Sequence, residues 1–294
     1  MPASAVPASS ADRIAALQRS RSESKASTLA PPTELRGAPD LPFHRNPTMW
    51  LAVATVALWA VGFAGYLGGW LTGWVATPVL AVANYFGFTV FHESVHRTAH
   101  ANRRINDWIG VPPALMLTFT YPVFRICHLK HHANTNDPEF DPDHSVALGS
   151  WITRPFALLF TLFNYRRLYY THHWERSRGE RIRQQIYDLV LVALVPAAIV
   201  LGFGTELWVL YWAPVLLAGL FLFYAFDYLP HHPHESTERF HDTRIQPGRL
   251  RHAILLGQNH HLIHHLWVSV PWFRYRLVYR ELEAELRAEN IRVG

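Results

Sequence analysis

Nine histidines form three short clusters whose spacing is typical of metal ligands. The clusters are His92, His96 and His100; His128, His131 and His132; and His261, His264 and His265. Imidazole is the commonest protein ligand for metals at neutral pH, and it suits iron, copper, zinc and nickel. Side chains three or four residues apart share one face of a helix, so each cluster is expected to direct its imidazoles toward one centre. Eight ligands are too many for one ion and about right for two.

Four long apolar segments must position these clusters. They cover residues 49–67, 71–91, 186–203 and 207–229, and a bilayer-spanning helix needs roughly 20 apolar residues. The segments are apolar on every side, which argues against amphipathic helices of a soluble protein. The sequence therefore predicts an all-α integral membrane protein, with four transmembrane helices in two hairpins and a cytoplasmic helical cap that carries the histidine clusters.

The basic residues predict the orientation of these helices. All 27 lysines and arginines lie within residues 13–45, 97–183 and 239–292. None lies in either pair of spans or in the short turns that join them, 68–70 and 204–206. The positive-inside rule then places both termini and all three clusters in the cytoplasm, in a cytoplasmic membrane of the bacterial type. The net charge of +5 indicates affinity for anionic membrane lipids and not for nucleic acid.

The other segments are expected to differ from these spans. Residues 1–45 are rich in Ala, Ser, Pro and Arg, which predicts a disordered cytoplasmic tail before a membrane domain at 46–294. The apolar stretches 111–124 and 151–165 are too short to span and are expected to be interfacial or re-entrant. Residues 277–292 predict a charged amphipathic helix that packs on the cytoplasmic domain.

The cofactor motifs limit the redox chemistry that this chain performs alone. Cys127 is the only cysteine, so we expect neither a disulfide nor an iron–sulfur cluster held by this chain. No G-x-G-x-x-G motif follows a strand, so no flavin or nicotinamide domain is expected. Any redox reaction would therefore take its electrons from a separate partner.

Four stretches resemble the β-carotene hydroxylases of the membrane fatty acid desaturase and hydroxylase superfamily. They read FHESVHRTAHANRRINDWIG, PVFRICHLKHHANTNDPEFDPDH, FDYLPHHPHE and LLGQNHHLIHHLWVSVPWFRYR. The resemblance covers most of residues 43–280. Glu93 stands where Asp is more usual in that family, and His232 stands where Arg is common.

The resemblance implies two non-haem irons held by nine histidines. These ligands would be His92, His96, His128, His131, His132, His231, His261, His264 and His265. Asp227 would accept an N–H from a liganding imidazole, one turn before His231. His100 is a further candidate ligand, although a supporting hydrogen bond is favoured for it, and Glu93 and Asp188 are candidates for orienting ligands. His232 and His234 are expected at the surface or beside the ligands.

The resemblance also implies the reaction. Two irons would use dioxygen to oxidise an unactivated C–H bond of a carotenoid ring, with the carotenoid entering from the bilayer. Electrons would come from a separate donor such as ferredoxin and its reductase. Physical reasoning alone leaves hydroxylation and desaturation open, so an acyl-lipid or fatty acid desaturase or hydroxylase is the main alternative. A carotenoid ketolase is a more remote one.

Two alternatives lie outside this superfamily. His92-Glu93-Ser-Val-His96 matches the H-E-x-x-H helix of zinc peptidases, in which Glu93 would be the base. That interpretation leaves the two H-x-x-H-H clusters unexplained. A metal transporter is the second alternative, and it would place its histidines along the interiors of the spans.

Overall fold

The computed structural model describes residues 29–148, 154–172 and 177–294, and these are mostly helical. The helices in chain order are α1 (Pro47–Leu67), α2 (Gly73–His96), α3 (Arg103–Met116), α4 (Tyr121–Asn134), α5 (Arg154–His172), α6 (Arg178–Val200), α7 (Gly204–His231), α8 (Arg249–Ile254), α9 (His261–Leu266), α10 (Tyr275–Glu281) and α11 (Glu283–Ala288). Two short strands, β1 (Arg244–Ile245) and β2 (Arg292–Val293), pair in parallel. α7 contains two wider π turns, Trp208–Trp212 and Phe223–Tyr228.

Four helices of the described residues are long and apolar enough to cross a membrane, namely α1, α2, α6 and α7. This confirms the predicted number of candidate spans, although their bounds differ. α2 continues through the first histidine cluster, and α6 begins early because the Ser177 side chain accepts a hydrogen bond from the Glu180 N–H. Residues 204–206 are helical, so the turn predicted there lies earlier, between α6 and α7. The arrangement in two hairpins and the side that the cap faces stay predictions.

α1 and α2 pack closely because small residues lie where they cross. A Cβ atom on Gly62 would come within 2.6 Å of the Leu80 side chain, so only glycine fits without a shift. The Trp59 indole N–H also donates to the Asn84 side-chain oxygen over 3.0 Å. This contact fixes α2, whose last turns carry the first histidines.

A sharp bend joins α3 to α4. The two helices meet at 95°, which is the geometry of a broken span or a re-entrant loop. Thr118 has a left-handed backbone conformation in the connection, with φ at 65°. The apolar stretch 111–124 lies across this bend, in agreement with an interfacial or re-entrant segment. The other short stretch, 151–165, falls mostly on α5, and its first three residues lie outside the described residues.

The segment at the C-terminal end is more broken than the sequence predicted. Instead of one helix over 277–292, α10 and α11 are separated at Leu282, which leaves helical geometry, and β2 follows. Leu286 is completely buried beside Leu262 and Ile263 of α9. The segment therefore packs on the helix that carries the third histidine cluster.

Part of the predicted tail, within residues 29–45, packs against the rest of the described chain. Leu29 and Leu35 pack against the core cluster that surrounds α9. The Gly37 N–H donates to the Ser269 carbonyl over 2.7 Å. The mean composition of residues 1–45 hides these apolar contacts, and residues 1–28 lie outside the described residues.

Candidate metal centre

Nine buried or half-buried histidines converge where α2, α4, α7 and α9 meet. Their ring nitrogens form two sets in which each nitrogen lies within 4.8 Å of the others. The first set is His92, His96, His128, His132 and His264. The second set is His131, His231 and His265, and His261 lies beside it with its ring centroid 5.0 Å from that of His231. The structure thus brings together all nine histidines that the sequence singled out as ligands.

The distances between ring nitrogens suit shared metal ions. The Nε2 atom of His128 lies 2.8 Å from Nε2 of His96 and 3.1 Å from Nε2 of His132. In the second set, Nε2 of His265 lies 3.1 Å from Nε2 of His261. Two nitrogens that bind one ion at right angles over roughly 2.1 Å lie about 3 Å apart. The rings are therefore placed as neighbouring ligands of one ion are placed.

Helical spacing explains how two clusters serve both sets. On α4, His128 and His132 are four residues apart and join the first set, whereas His131 joins the second. On α9, His265 belongs to the second set and His264 to the first. Each helix therefore lies between the two sets and contributes to both. Within the one metal centre, these two clusters therefore divide their imidazoles between two sets.

Hydrogen bonds on the outer nitrogens orient two of the rings firmly. Nδ1 of His131 lies 2.8 Å from the Asp141 carboxylate, and Nδ1 of His264 lies 2.8 Å from the Tyr275 hydroxyl. Both partners are buried. Such contacts fix the tautomer and leave Nε2 for a metal.

Two neutral partners orient rings of α9 in the same way. Nδ1 of His265 lies 3.2 Å from the Thr135 hydroxyl, and Nδ1 of His261 lies 3.1 Å from the Gln258 side-chain oxygen. None of these partners was singled out from the sequence. Gln258 lies one turn before His261, and Asp141 lies in the D-P-E-F-D-P-D stretch after the second cluster, so both had a local signal. Tyr275 and Thr135 had none.

Unsatisfied buried nitrogens show that a metal fits this arrangement. Within the described residues, Nε2 of His264 and both ring nitrogens of His231 have no hydrogen-bond partner. A buried polar atom without a partner costs about 1–3 kcal/mol. Burial also lowers the pKa of His264 and His265 well below the usual value. Neutral imidazoles with free lone pairs are what a metal ion requires.

An apolar cavity of about 140 Å³ reaches the histidines. His92 and His128 of the first set line it, as do His131 and His261. The rest of its wall is mainly aromatic and aliphatic, and five phenylalanines contribute to it. They are Phe88, Phe119, Phe124, Phe223 and Phe226. The cavity therefore offers a hydrocarbon group direct access to both sets of ligands.

A sequence model described as fatty acid desaturase matches residues 68–294, well over half of the chain. The chain belongs to the fatty acid desaturase family. This is a di-iron family, which agrees with two sets of histidines. Membership confirms the superfamily that the four sequence stretches indicated.

The similar proteins bear the names of two kinds of enzyme, carotenoid ketolases and an acyl-lipid desaturase. Zeaxanthin 4-ketolase of Chlamydomonas reinhardtii is 28% identical over 76% of this chain, and the chain spans 51% of that protein. The sn-1 oleoyl-lipid 12-desaturase of Arthrospira platensis is 24% identical over 75% of this chain and 73% of the relative. Beta-carotene ketolase of Paracoccus sp. (strain N81106 / MBIC 01143) is 27% identical over 76% and 85%. This desaturase-family chain is therefore similar to oxidative enzymes of both carotenoids and acyl lipids, which supports an oxidoreductase.

His100 does not share a face with the first cluster, contrary to expectation. α2 ends at His96 because Arg97 adopts the left-handed conformation, with φ at 62°. Nδ1 of His100 instead accepts the backbone N–H of Asn102 over 2.9 Å. Neither set of ring nitrogens includes it. In this desaturase-family chain His100 supports the loop after α2.

Asp227 does not form a hydrogen bond with His231, which lies one turn after it on α7. Within the described residues, neither nitrogen of His231 accepts or donates a hydrogen bond. Asp227 lies on the second π turn of α7 and lines the apolar cavity instead. The expected pairing of a carboxylate with a ligand is provided by Asp141 on His131.

The two other acids singled out from the sequence have different partners. Glu93 is buried with one oxygen 3.7 Å from Nδ1 of His92, and its other oxygen accepts hydrogen bonds from Thr98 and the Trp272 backbone. A carboxylate held in this way is a poor candidate for the base of a zinc peptidase. Asp188 pairs with Arg166 over 2.9 Å and not with a ligand.

The remaining two histidines lie close to the site without joining it. His232 is exposed, as expected. His234 is buried next to the ligand-bearing end of α7, and its backbone N–H donates to the His231 carbonyl over 2.7 Å. Neither belongs to the two sets of converging nitrogens.

Proposed function

We propose that this protein is a membrane di-iron oxygenase that hydroxylates the ring of a carotenoid, as in the conversion of β-carotene to zeaxanthin. The observation that carries the proposal is the apolar cavity in contact with both sets of histidines. Its volume, about 140 Å³, is close to the roughly 150 Å³ of an engineered protein cavity that binds benzene. One ring of a carotenoid fits such a space, while the polyene extends toward the lipid.

The nine histidines would hold the two irons in this proposal, five around one ion and four around the other. When bound, the irons supply the activation of dioxygen that the oxidation of an unactivated C–H bond requires. The chain itself fixes the orientation of the ligands through residues such as Asp141 and Tyr275. The phenylalanine walls exclude water and hold the ring beside His92 and His128.

The donor, the topology and the domain arrangement belong to the same proposal. Electrons would come from a separate carrier such as ferredoxin with its reductase, at the cytoplasmic face of a multi-pass membrane protein. The membrane domain would cover residues 46–294, with the preceding packed segment from Leu29 as its extension. The substrate would enter from the bilayer between the spans.

An acyl-lipid desaturase is the second candidate because the Arthrospira relative bears that name and aligns over 73% of its own length. A slender acyl chain also fits an apolar cavity. The named ketolases add a third outcome, in which the oxidised ring carbon becomes a carbonyl. The ring-sized cavity and the F-D-Y-L-P-H stretch favour the carotenoid ring.

Pigment and lipid analysis in a host that makes β-carotene tests the proposal. The full-length chain is expressed together with a ferredoxin and its reductase, and cells with the His264→Ala variant serve as the matched control. We expect hydroxylated rings, with their oxygen derived from labelled dioxygen, and no product in the control. Ketone products alone would favour the ketolase. New double bonds in fatty acids, with pigments unchanged, would favour the desaturase.

A further inference from the structure

A polar corner interrupts the apolar cavity next to the second set of histidines. Asp143 lines the cavity and is only 7% exposed. Its Oδ2 atom accepts a hydrogen bond from the Tyr165 hydroxyl over 2.9 Å and lies 3.5 Å from Nδ1 of His131. Within the part of the chain that the structure describes, its Oδ1 atom has no hydrogen-bond partner. Asp143 thus carries a buried acceptor atom without a partner and belongs to the wall of a hydrocarbon-binding space.

Further polar groups line the same cavity. Asp227 contributes a second carboxyl group from a π turn of α7, and such turns often occur at functional sites. Thr161 lies one turn before Tyr165 on α5, and its hydroxyl is 3.4 Å from that of Ser145. The described residues of the wall include no lysine or arginine to neutralise the carboxyl groups. A pure hydrocarbon would leave the Oδ1 atom of Asp143 without a partner.

A hydroxyl group on an otherwise apolar ligand suits this corner. A hydroxyl both donates and accepts, so it bonds to a carboxyl group in either protonation state. It is neutral, so it enters an apolar cavity at a lower desolvation cost than an ion. A ring of the size that the cavity holds brings such a group within reach of the wall.

We propose that Asp143, supported by Tyr165 and Asp227, binds the hydroxyl group of a ring that already carries one. The cavity therefore holds a hydroxylated ring end more tightly than a hydrocarbon ring end. This rests on the proposed function, because it takes a ring-bearing lipid as the ligand. It follows that the hydroxylated product competes with the unmodified substrate for the site.

Binding of ring fragments tests the assignment without any measurement of turnover. Purified full-length protein with its bound metal is titrated calorimetrically with β-ionone, which carries the ring of β-carotene, and with 3-hydroxy-β-ionone. One hydrogen bond to a buried carboxyl group predicts about tenfold tighter binding of the hydroxylated fragment. Equal or weaker binding of the hydroxylated fragment would overturn the assignment.

Variants locate the effect on Asp143. Asp143→Ala should reduce the ratio of the two dissociation constants to about one, whereas Asp40→Ala, at an exposed carboxylate, should leave it unchanged. Asp143→Asn keeps an acceptor for Tyr165 and should give a ratio of the two dissociation constants of roughly two to three. This second variant tests the assignment even if the alanine variant does not fold. An unchanged ratio in folded Asp143→Ala or in Asp143→Asn would refute the role of this residue. If neither ring fragment binds while methyl oleate does, the proposed function itself fails. Equal binding of both ring fragments would instead overturn only the role of Asp143.

Discussion

Replacement of Tyr275 by phenylalanine should weaken iron binding, although Tyr275 is not itself one of the proposed iron ligands. Its hydroxyl lies 2.8 Å from Nδ1 of His264, and both side chains are completely buried. Nε2 of His264 then points to the first set of ligands, where it has no other partner among the described residues. Tyr275→Phe removes only one oxygen, so the fold should remain and the ring should lose its fixed orientation.

The expected magnitude is worked from the contact of the Tyr275 hydroxyl with His264. Loss of a hydrogen bond that orients a metal ligand typically lowers metal affinity by about 10- to 100-fold, equivalent to about 1.4–2.8 kcal/mol. The matched control is Tyr279→Phe, on the same helix one turn later. The Tyr279 hydroxyl contacts the exposed Glu283 carboxylate over 3.2 Å, so this change should alter iron affinity by less than about twofold.

Competition with an iron(II) chelator measures the difference. Both variants and the parent protein are loaded anaerobically, and the iron that remains bound is determined at increasing chelator concentration. The curve for Tyr275→Phe should shift to at least about tenfold lower chelator, and that for Tyr279→Phe should coincide with the parent. If Tyr275→Phe retained iron as well as the parent does, Tyr275 would not orient a metal ligand.

Three further predictions test the packing and topology of the molecule. Burial raises the pKa of Asp242 from 3.8 to about 7, so its carboxylate destabilises the fold increasingly as pH rises between these values. Asp242→Asn should therefore increase the free energy of unfolding more at pH 8 than at pH 5, with a difference of roughly 3 kcal/mol between the two gains. An equal rise of the melting temperature at both pH values would contradict this. Gly257→Ala should strongly lower the melting temperature, because φ is +81° and the new Cβ would lie 2.6 Å from the Trp272 carbonyl oxygen. The control is Gly37→Ala, at φ +74° with nothing within 4 Å, which should lower the free energy of unfolding by only about 1 kcal/mol. Similar losses of stability in the two variants would refute the contact with Trp272. A reporter inserted at Gly69 should behave as exported, and a cytoplasmic signal there would overturn the four-span orientation.

The sequence predicted the convergence of the eight clustered histidines because their spacing follows helical geometry, whereas His231 was implied only by the family resemblance. Clusters such as His128, His131 and His132 lie near helix ends, where i, i+3 and i+4 positions bring side chains together. The division of the second and third clusters between two sets was missed, since it depends on how α4 and α9 are placed in the fold. The end of α2 at His96 was also missed, because nothing in the residue type of Arg97 requires a left-handed backbone.

Contacts that depend on tertiary packing had little or no signal in the chain. Tyr275 lies 11 residues after its partner His264, and Thr135 lies 130 residues before its partner His265. Composition also assigned residues 29–45 to a disordered tail, although Leu29 and Leu35 bury apolar surface against the core around α9. Averages over a segment conceal a few apolar side chains that find a partner surface elsewhere in the fold.

The metal content of the purified protein tests most directly the account of two ions held by nine histidines. Full-length protein is loaded with iron(II) under anaerobic conditions, and iron and zinc per chain are determined by elemental analysis. The two sets of converging ring nitrogens predict close to two irons per chain and little zinc, with a lower iron content in His132→Ala than in His44→Ala, which changes an exposed histidine outside the sets. One zinc and no iron per chain would contradict the di-iron centre.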